Sequence, residues 1–354
     1  MTPAVPVARR SKSLSSQIGL TDRIFASAED RATAQAIEAG LEMVEAGILR
    51  EVAFADAIAD ATTRYLLAAG GKRVRPMLTL LTAQLGDGIT ADVLTAAQAV
   101  EITHLASLYH DDVMDEAEMR RGVPSAQSVW GNSVAILTGD LLFARASKLI
   151  ASLGERALTI QSNTFERLCL GQLHETIGPR AGDDPVEHYL QVLADKTGSL
   201  IALAALVGVI FSDAPEEYQK PVEEFGEYIG VAFQLVDDVI DLSSKVEETG
   251  KEAGTDLRAG VPTLPLLYLR RLAETDAGAA ELLARIEREV AEGDDGADFA
   301  AAVDELRRHP VTGDTLAEAR RWADRAVAAL APLPEGPVVK ALTRFAEAIV
   351  ERSH

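Results

Sequence analysis

The stretch His104–Asp115, HLASLYHDDVMD, decides how this chain is read. Wound as a helix, it sets residues i and i+4 one turn apart on a single face, so Asp111 and Asp115 point the same way. His104 stands two turns before Asp111 on that face. A second copy of the acidic word, DDVID at Asp237–Asp241, pairs Asp237 with Asp241 in the same manner. Crowded carboxylates repel unless a cation lies between them. An all-oxygen donor set suits a hard ion, and Mg²⁺ in particular when phosphate oxygens complete its octahedron. The two words predict a metal-bridged site for a phosphorylated ligand, built on two helices that face each other across a bundle.

Outward from these words, apolar residues recur at helical spacing from about Ala28 to the end, and no stretch alternates with period two for long. Gly and Pro clusters at Gly70-Gly71, Gly86-Asp87-Gly88, Gly122-Val123-Pro124, Gly131-Asn132, Gly178-Pro179 and Gly254 divide the helices. The fold class is therefore all-α, with about ten helices or more and essentially no sheet. Residues 1–20, rich in Pro, Ser and basic side chains, read as a flexible tail. No Pro/Gly/Ser linker interrupts the remainder, so residues 21–354 read as one large helical bundle domain.

Composition narrows the function. With 34 Lys+Arg against 55 Asp+Glu, the net charge is −21, which excludes a nucleic-acid footprint. Hydrophobic residues make up 47% but aromatics only 5%, so the core is mostly Ala, Leu, Val and Ile. Cys169, the one cysteine, permits no intrachain disulfide and reads as a buried thiol inside a helix. Arg9 and Arg10 have no apolar segment behind them, and the longest apolar run, Leu200 to Phe211, is too short to cross a bilayer. A soluble, cytoplasmic protein that is not integral to a membrane is expected.

In so acidic a chain the basic residues stand out. GGKRVRP, Gly70 to Pro76, sets Lys72, Arg73 and Arg75 on a short connection before a helix, where backbone N–H groups and basic side chains converge on phosphate. Arg120 and Arg121 follow the first acidic word at its helix end and are suited to grip anionic oxygens. DKTGSL, Asp195 to Leu200, puts Lys196 and Thr197 into an otherwise apolar helical pattern. Gln234 precedes Asp238 by one turn, and Lys245 and Lys251 follow the second acidic word. A diphosphate would be repelled by bare aspartates, so metal ions bridge the two and neutralise the leaving group. Its organic part must suit an Ala/Leu-lined interior, and an allylic diphosphate ionised there would yield a carbocation open to attack by an alkene.

These motifs, in this order, resemble the trans-isoprenyl diphosphate synthases, or polyprenyl synthetases, from about Ala61 to the C-terminus. The resemblance implies an isoprenoid-synthase bundle around a deep central cavity, normally a homodimer. It implies a transferase that condenses isopentenyl diphosphate head-to-tail with an allylic diphosphate, using about three Mg²⁺ ions per site. By motif, Lys72, Arg75, His104 and Arg121 would hold isopentenyl diphosphate. Asp111, Asp115, Asp237 and Asp241 would hold the metal, with Asp112 and Asp238 in support. Arg120, Lys196 and Lys251 would grip the allylic diphosphate, while Thr197 and Gln234 line the reacting centre.

Two positions depart from the family: Val261 stands where many members carry a phosphate-binding lysine, and Gly171-Gln172 replaces Gly-Glu. In the family, bulky residues four and five before the first aspartate close the cavity. Here they are Ser107 and Ala106, which implies a long product, C30 or beyond. The alternatives are a shorter-chain farnesyl or geranylgeranyl diphosphate synthase and a class I terpene cyclase. The cyclase has no use for GGKRVRP, which serves a second diphosphate.

Overall fold

A computed structural model describes residues 31–243, 253–293 and 296–352. The expected tail, Lys245 and Lys251 lie outside the described residues. In chain order the helices are α1 (Arg31–Glu51), α2 (Ala57–Ala68), α3 (Val74–Thr82), α4 (Ala91–Met114), α5 (Ala126–Trp130), α6 (Asn132–Ser152), α7 (Glu155–Ile177), α8 (Pro185–Leu193) and α9 (Ser199–Phe211). They continue as α10 (Gln219–Ser243), α11 (Thr255–Arg258), α12 (Leu264–Ala273), α13 (Ala277–Glu292), α14 (Ala297–Arg308), α15 (Pro310–Ala329) and α16 (Pro337–Glu351). The all-α expectation holds. Among the described residues the strands are β1 (Met119–Arg120) and β2 (Val123–Pro124), a two-stranded ribbon pairing Met119 with Pro124 and Arg120 with Val123.

The chain forms two compact units. The first comprises residues 31–166, 200–226 and 329–345. At its heart is α4, started by Thr90, whose Oγ1 accepts from Val93 N at 3.1 Å. Val93, Ala96, Val100, Ile102, Leu105 and Tyr109 bury different sides of α4, as befits a helix enclosed by others. It packs against α1, α3 and, most extensively, α6. Small residues allow the close approaches: a Cβ on Gly208 would lie 2.3 Å from Thr79 O, so α9 meets α3 backbone to backbone. There the Thr79 and Thr82 hydroxyls donate to Ala204 O (2.7 Å) and Ala205 O (2.8 Å).

The second unit comprises residues 167–199, 227–328 and 346–352, less those not described. Leu242, Leu257, Leu269, Leu282, Ile286, Phe299 and Leu306, from α10 through α14, pack together in a core cluster of this unit. Asp276 caps α13 by accepting from Ala279 N at 2.8 Å, and Gly293 ends that helix in the left-handed conformation.

Three local expectations are corrected. Arg120 and Arg121 do not sit at the end of the first acidic word's helix, because α4 stops at Met114 and Arg121-Gly122 turns the ribbon that follows. Both turn residues have positive φ (52° and 75°), the pattern of a type I′ hairpin. Arg75 lies inside α3 rather than on the connection, because a proline is tolerated in a first turn and the helix begins ahead of Pro76. Cys169 is exposed. It lies within α7 as expected, but on an outward face shared by Leu173, which is also exposed.

The apolar run at 200–211 extends further than its sequence suggested. α8, a π-turn at Ala194–Gly198 and α9 form one continuous helical stretch, Pro185–Phe211. By length and composition it could cross a membrane, yet 78% of its most apolar window is buried within the protein.

Candidate functional site

In the first unit, the basic residues gather around the loop between α2 and α3. Gly70 and Gly71 take φ values of 97° and 148°, and a Cβ on Gly71 would fall 2.9 Å from Arg121 Nη2, so this turn needs glycine. Arg121 donates through Nη1 to Leu66 O at 2.9 Å and to Gly70 O. Tyr65 Oη donates to Pro124 O at 2.8 Å, fastening the ribbon to α2. Tyr109 Oη, on α4, donates to Thr62 O and accepts from Leu66 N at 3.2 Å. Hydrogen bonds thus join α2, α4, the ribbon and the glycine turn.

The basic triplet divides by burial. Arg73, with φ 51°, holds Glu45 through Nε (2.8 Å) and Nη2 (3.1 Å), and Glu101 through Nη1 (3.2 Å). It is a buried structural cation. Arg75 is half-buried, and its Nε is enclosed without a hydrogen-bond partner. An enclosed, unsatisfied donor on a charged group is unfavourable until an acceptor reaches it. Lys72, directly after the glycine turn, is exposed.

His104 completes this set. Burial, reinforced by Arg75, Arg121, Arg73 and Arg120, holds its pKa well below 6.5, so its imidazole is neutral at neutral pH. Burial also pulls Arg121 down to about 10, where it keeps its charge. The depressed histidine sets a sign for stability: the native state resists the proton that the unfolded chain accepts. Stability from this group is present above pH 6.5 and is lost as pH falls through the lower folded value. His104→Gln should show a smaller fall in Tm on acidification than the parent, measured by calorimetry from pH 7.5 down to about 5. Equal falls would contradict a neutral His104.

Both acidic words have one inward and two outward carboxylates. Asp112 is fully buried and accepts from Arg120 Nε at 2.6 Å, whereas Asp111 is half-buried and Asp115 exposed. In the second unit, Asp238 is 2% exposed and accepts from Tyr189 Oη at 2.8 Å, whereas Asp237 and Asp241 are half-buried. Burial drives the Asp238 carboxyl up to about 8 against the Tyr189 hydrogen bond. Asp241 accepts from Asp256 N at 3.2 Å through Oδ2. Tyr189, the anchor of the second word, was not foreseen. Nothing in EHYLQVL distinguishes a tyrosine that reaches a distant aspartate from one that packs in a core.

Lys196 and Thr197 sit in the π-turn, a helix defect often found at functional sites. Lys196 pairs with Glu175 of α7. A Cβ on Gly171 would come within 2.7 Å of Lys196 N, so that glycine lets α7 approach the turn closely. Arg167 clamps the same region through Asp195 (2.9 Å) and Glu227 (2.7 Å). Gln234 is half-buried on α10, one turn before Asp238. Val261 lines an apolar cavity of about 270 Å³ with Pro262, Tyr189 and Val192.

Among the described residues, no three His, Cys, Asp or Glu side chains converge on one metal-sized point. Mg²⁺ commonly takes one or two protein carboxylates and completes its shell with water and phosphate oxygens. The outer carboxylates of the two words, half-buried except for the exposed Asp115, fit such a part-built site.

The sequence matches the polyprenyl synthetase family over residues 56–303. The chain belongs to the polyprenyl synthetase family. It is 43% identical over 324 residues to the nonaprenyl diphosphate synthase of Mycobacterium tuberculosis, covering 91% of this chain and 95% of that one. It is 37% identical to heptaprenyl diphosphate synthase component 2 of Geobacillus stearothermophilus, covering 76% of this chain and 82% of the relative. Among solved structures, it superposes on the Caulobacter crescentus polyprenyl synthase complexed with calcium and isoprenyl diphosphate. That match has a TM-score of 0.82 at 32% identity and covers 94% of this chain and 98% of the other.

Proposed function

We propose that this enzyme condenses isopentenyl diphosphate head-to-tail with an allylic diphosphate and repeats the step to a trans-polyprenyl diphosphate of C30 or longer. The observation that carries the reading is the arginine set around neutral His104, with the enclosed Arg75 Nε waiting for an acceptor, next in sequence to an acidic word with outward carboxylates. Anionic oxygens supply the acceptor, and an apolar chain suits the Ala/Leu-rich interior.

Lys72, Arg75, His104 and Arg121 hold isopentenyl diphosphate. A neutral imidazole can donate one hydrogen bond there without adding charge. Asp111 and Asp115, and Asp237 and Asp241, receive divalent ions, with Asp112 and Asp238 anchoring each word from inside. Mg²⁺, bound with the substrate, supplies neutralisation of the diphosphate leaving group. Arg120 and Lys196, with Lys251 outside the described residues, grip the allylic diphosphate. The allylic C–O bond breaks, the alkene of isopentenyl diphosphate forms the new C–C bond, and the departing diphosphate takes the proton. Thr197 and Gln234 face the cation in this scheme.

Product length is assigned to the floor below Asp111. Ser107 is 6% exposed and donates to His104 O at 2.9 Å, while Ala106 is completely enclosed. Ser107→Phe should shorten the product by one or more isoprene units, read by chromatography after dephosphorylation. Ala106→Phe must also displace packed helix and should cost about 1–3 kcal/mol of stability. An unchanged product from a folded Ser107→Phe protein would rule out this floor.

A second copy of the chain fits the outward apolar residues: Leu158, and further along α7 Leu170, Leu173 and Ile177, are 42%, 42%, 50% and 69% exposed. A homodimer in the cytoplasm is our reading, and the largely buried Pro185–Phe211 helix supports a protein that is not integral to a membrane. The decisive assay uses radiolabelled isopentenyl diphosphate with C10, C15 and C20 allylic starters and Mg²⁺. Label should enter products of C30 or longer. Absence of incorporation with every starter would overturn the reading, and turnover of an allylic diphosphate alone would favour a cyclase.

A further inference from the structure

Beyond the residues assigned above, α16 delivers a cation to the second acidic word. The helix ends at Glu351, and Arg352 follows with its backbone N donating to Ile349 O at 3.4 Å. Its Nη2 lies 3.3 Å from Asp237 Oδ1, and its guanidinium carbon lies 4.9 Å from the centroid of the Phe233 ring. Phe233 precedes Asp237 by one turn of α10, so ring and carboxylate share a face and give the guanidinium a two-point seat. The Arg352 side chain is 23% exposed and that of Asp237 36% exposed, so the pair is open to exchange with ions in solution.

We propose that Arg352 is an intramolecular counter-cation for Asp237 that competes with divalent metal for the same carboxylate. The inference rests on the assignment of Asp237 as a metal ligand. A guanidinium and a dication drawn to one carboxylate repel each other, so each weakens the other's hold. The stacking contact with Phe233 keeps Arg352 close when the carboxylate is taken, which makes the exchange reversible. The C-terminal residues thereby set the metal concentration at which the second word fills.

The test is a titration of full-length protein with Mn²⁺ alone, followed by the electron paramagnetic resonance signal of the free ion. Four proteins are compared: the parent, Arg352→Ala, Asp237→Asn and the double variant. Arg352→Ala should bind Mn²⁺ about two- to fivefold more tightly than the parent, the bias that one partly exposed ion pair exerts. Asp237→Asn should bind more weakly, and adding Arg352→Ala to it should change nothing further. Equal or weaker binding by Arg352→Ala, where Asp237→Asn does weaken binding, would overturn the competition while leaving the metal assignment intact. Binding that is indifferent to Asp237→Asn would overturn that assignment and the competition together.

Discussion

Alanine at Asp111 or at Asp237 is expected to lower kcat by about three orders of magnitude and to leave Tm within a degree or two of the parent. The magnitude follows from the several kcal/mol that a bound ion contributes to a departing anionic group, at 1.36 kcal/mol per tenfold in rate. The small effect on folding follows from placement, since both side chains are only half-buried. Alanine at Asp112 should behave differently. Its carboxylate is fully enclosed and holds Arg120 at 2.6 Å, so its loss strands a guanidinium and lowers stability as well as rate. Steady-state assays beside calorimetry separate the two classes. An Asp237→Ala protein with near-parent kcat would remove the second word from the chemistry.

The largest loss of stability is expected at Arg73. Arg73→Ala should cost about 3–5 kcal/mol, because it leaves Glu101 buried without its cation. Both side chains of that pair are 4% exposed, so water cannot replace the lost partner. Glu45 also loses two contacts, but at 28% exposure it suffers less. Urea denaturation should show a lower midpoint with an unchanged slope. Arg73→Met combined with Glu101→Leu should recover much of the loss, since apolar replacement of a buried pair is often neutral. A loss below about 1 kcal/mol in the single variant would mean that the pair is solvated in solution.

The helical class and the two acidic words could be read from sequence because they depend on short-range periodicity. So could the break at the start of GGKRVRP, since Gly70 and Gly71 end a helix whatever surrounds them. The division of labour within Lys72, Arg73 and Arg75 could not. Three adjacent basic residues look alike in sequence, and only the acids contributed by α1 and α4 make Arg73 structural. The ribbon escaped for a related reason. A type I′ turn is usually signalled by Asn-Gly or Asp-Gly, and here its first position holds Arg121. The π-turn left only an indirect trace, as polar residues interrupting an apolar helical pattern. Cys169 was placed in the right helix but on the wrong side, because an outward apolar face on α7 has the same periodicity as an inward one.

Arg73 and Arg121 share one further property: both are non-glycine residues in the left-handed region, at φ 51° and 52°. Each such residue costs roughly 1–2 kcal/mol, and the expense is met during folding rather than on binding. Leu66 O and Gly70 O then hold the Arg121 guanidinium in place. The proposed diphosphate site around Arg121 is therefore preorganised. A diphosphate entering it orders little that is not already ordered, so its entry should carry a small entropy penalty and be free of a slow conformational step.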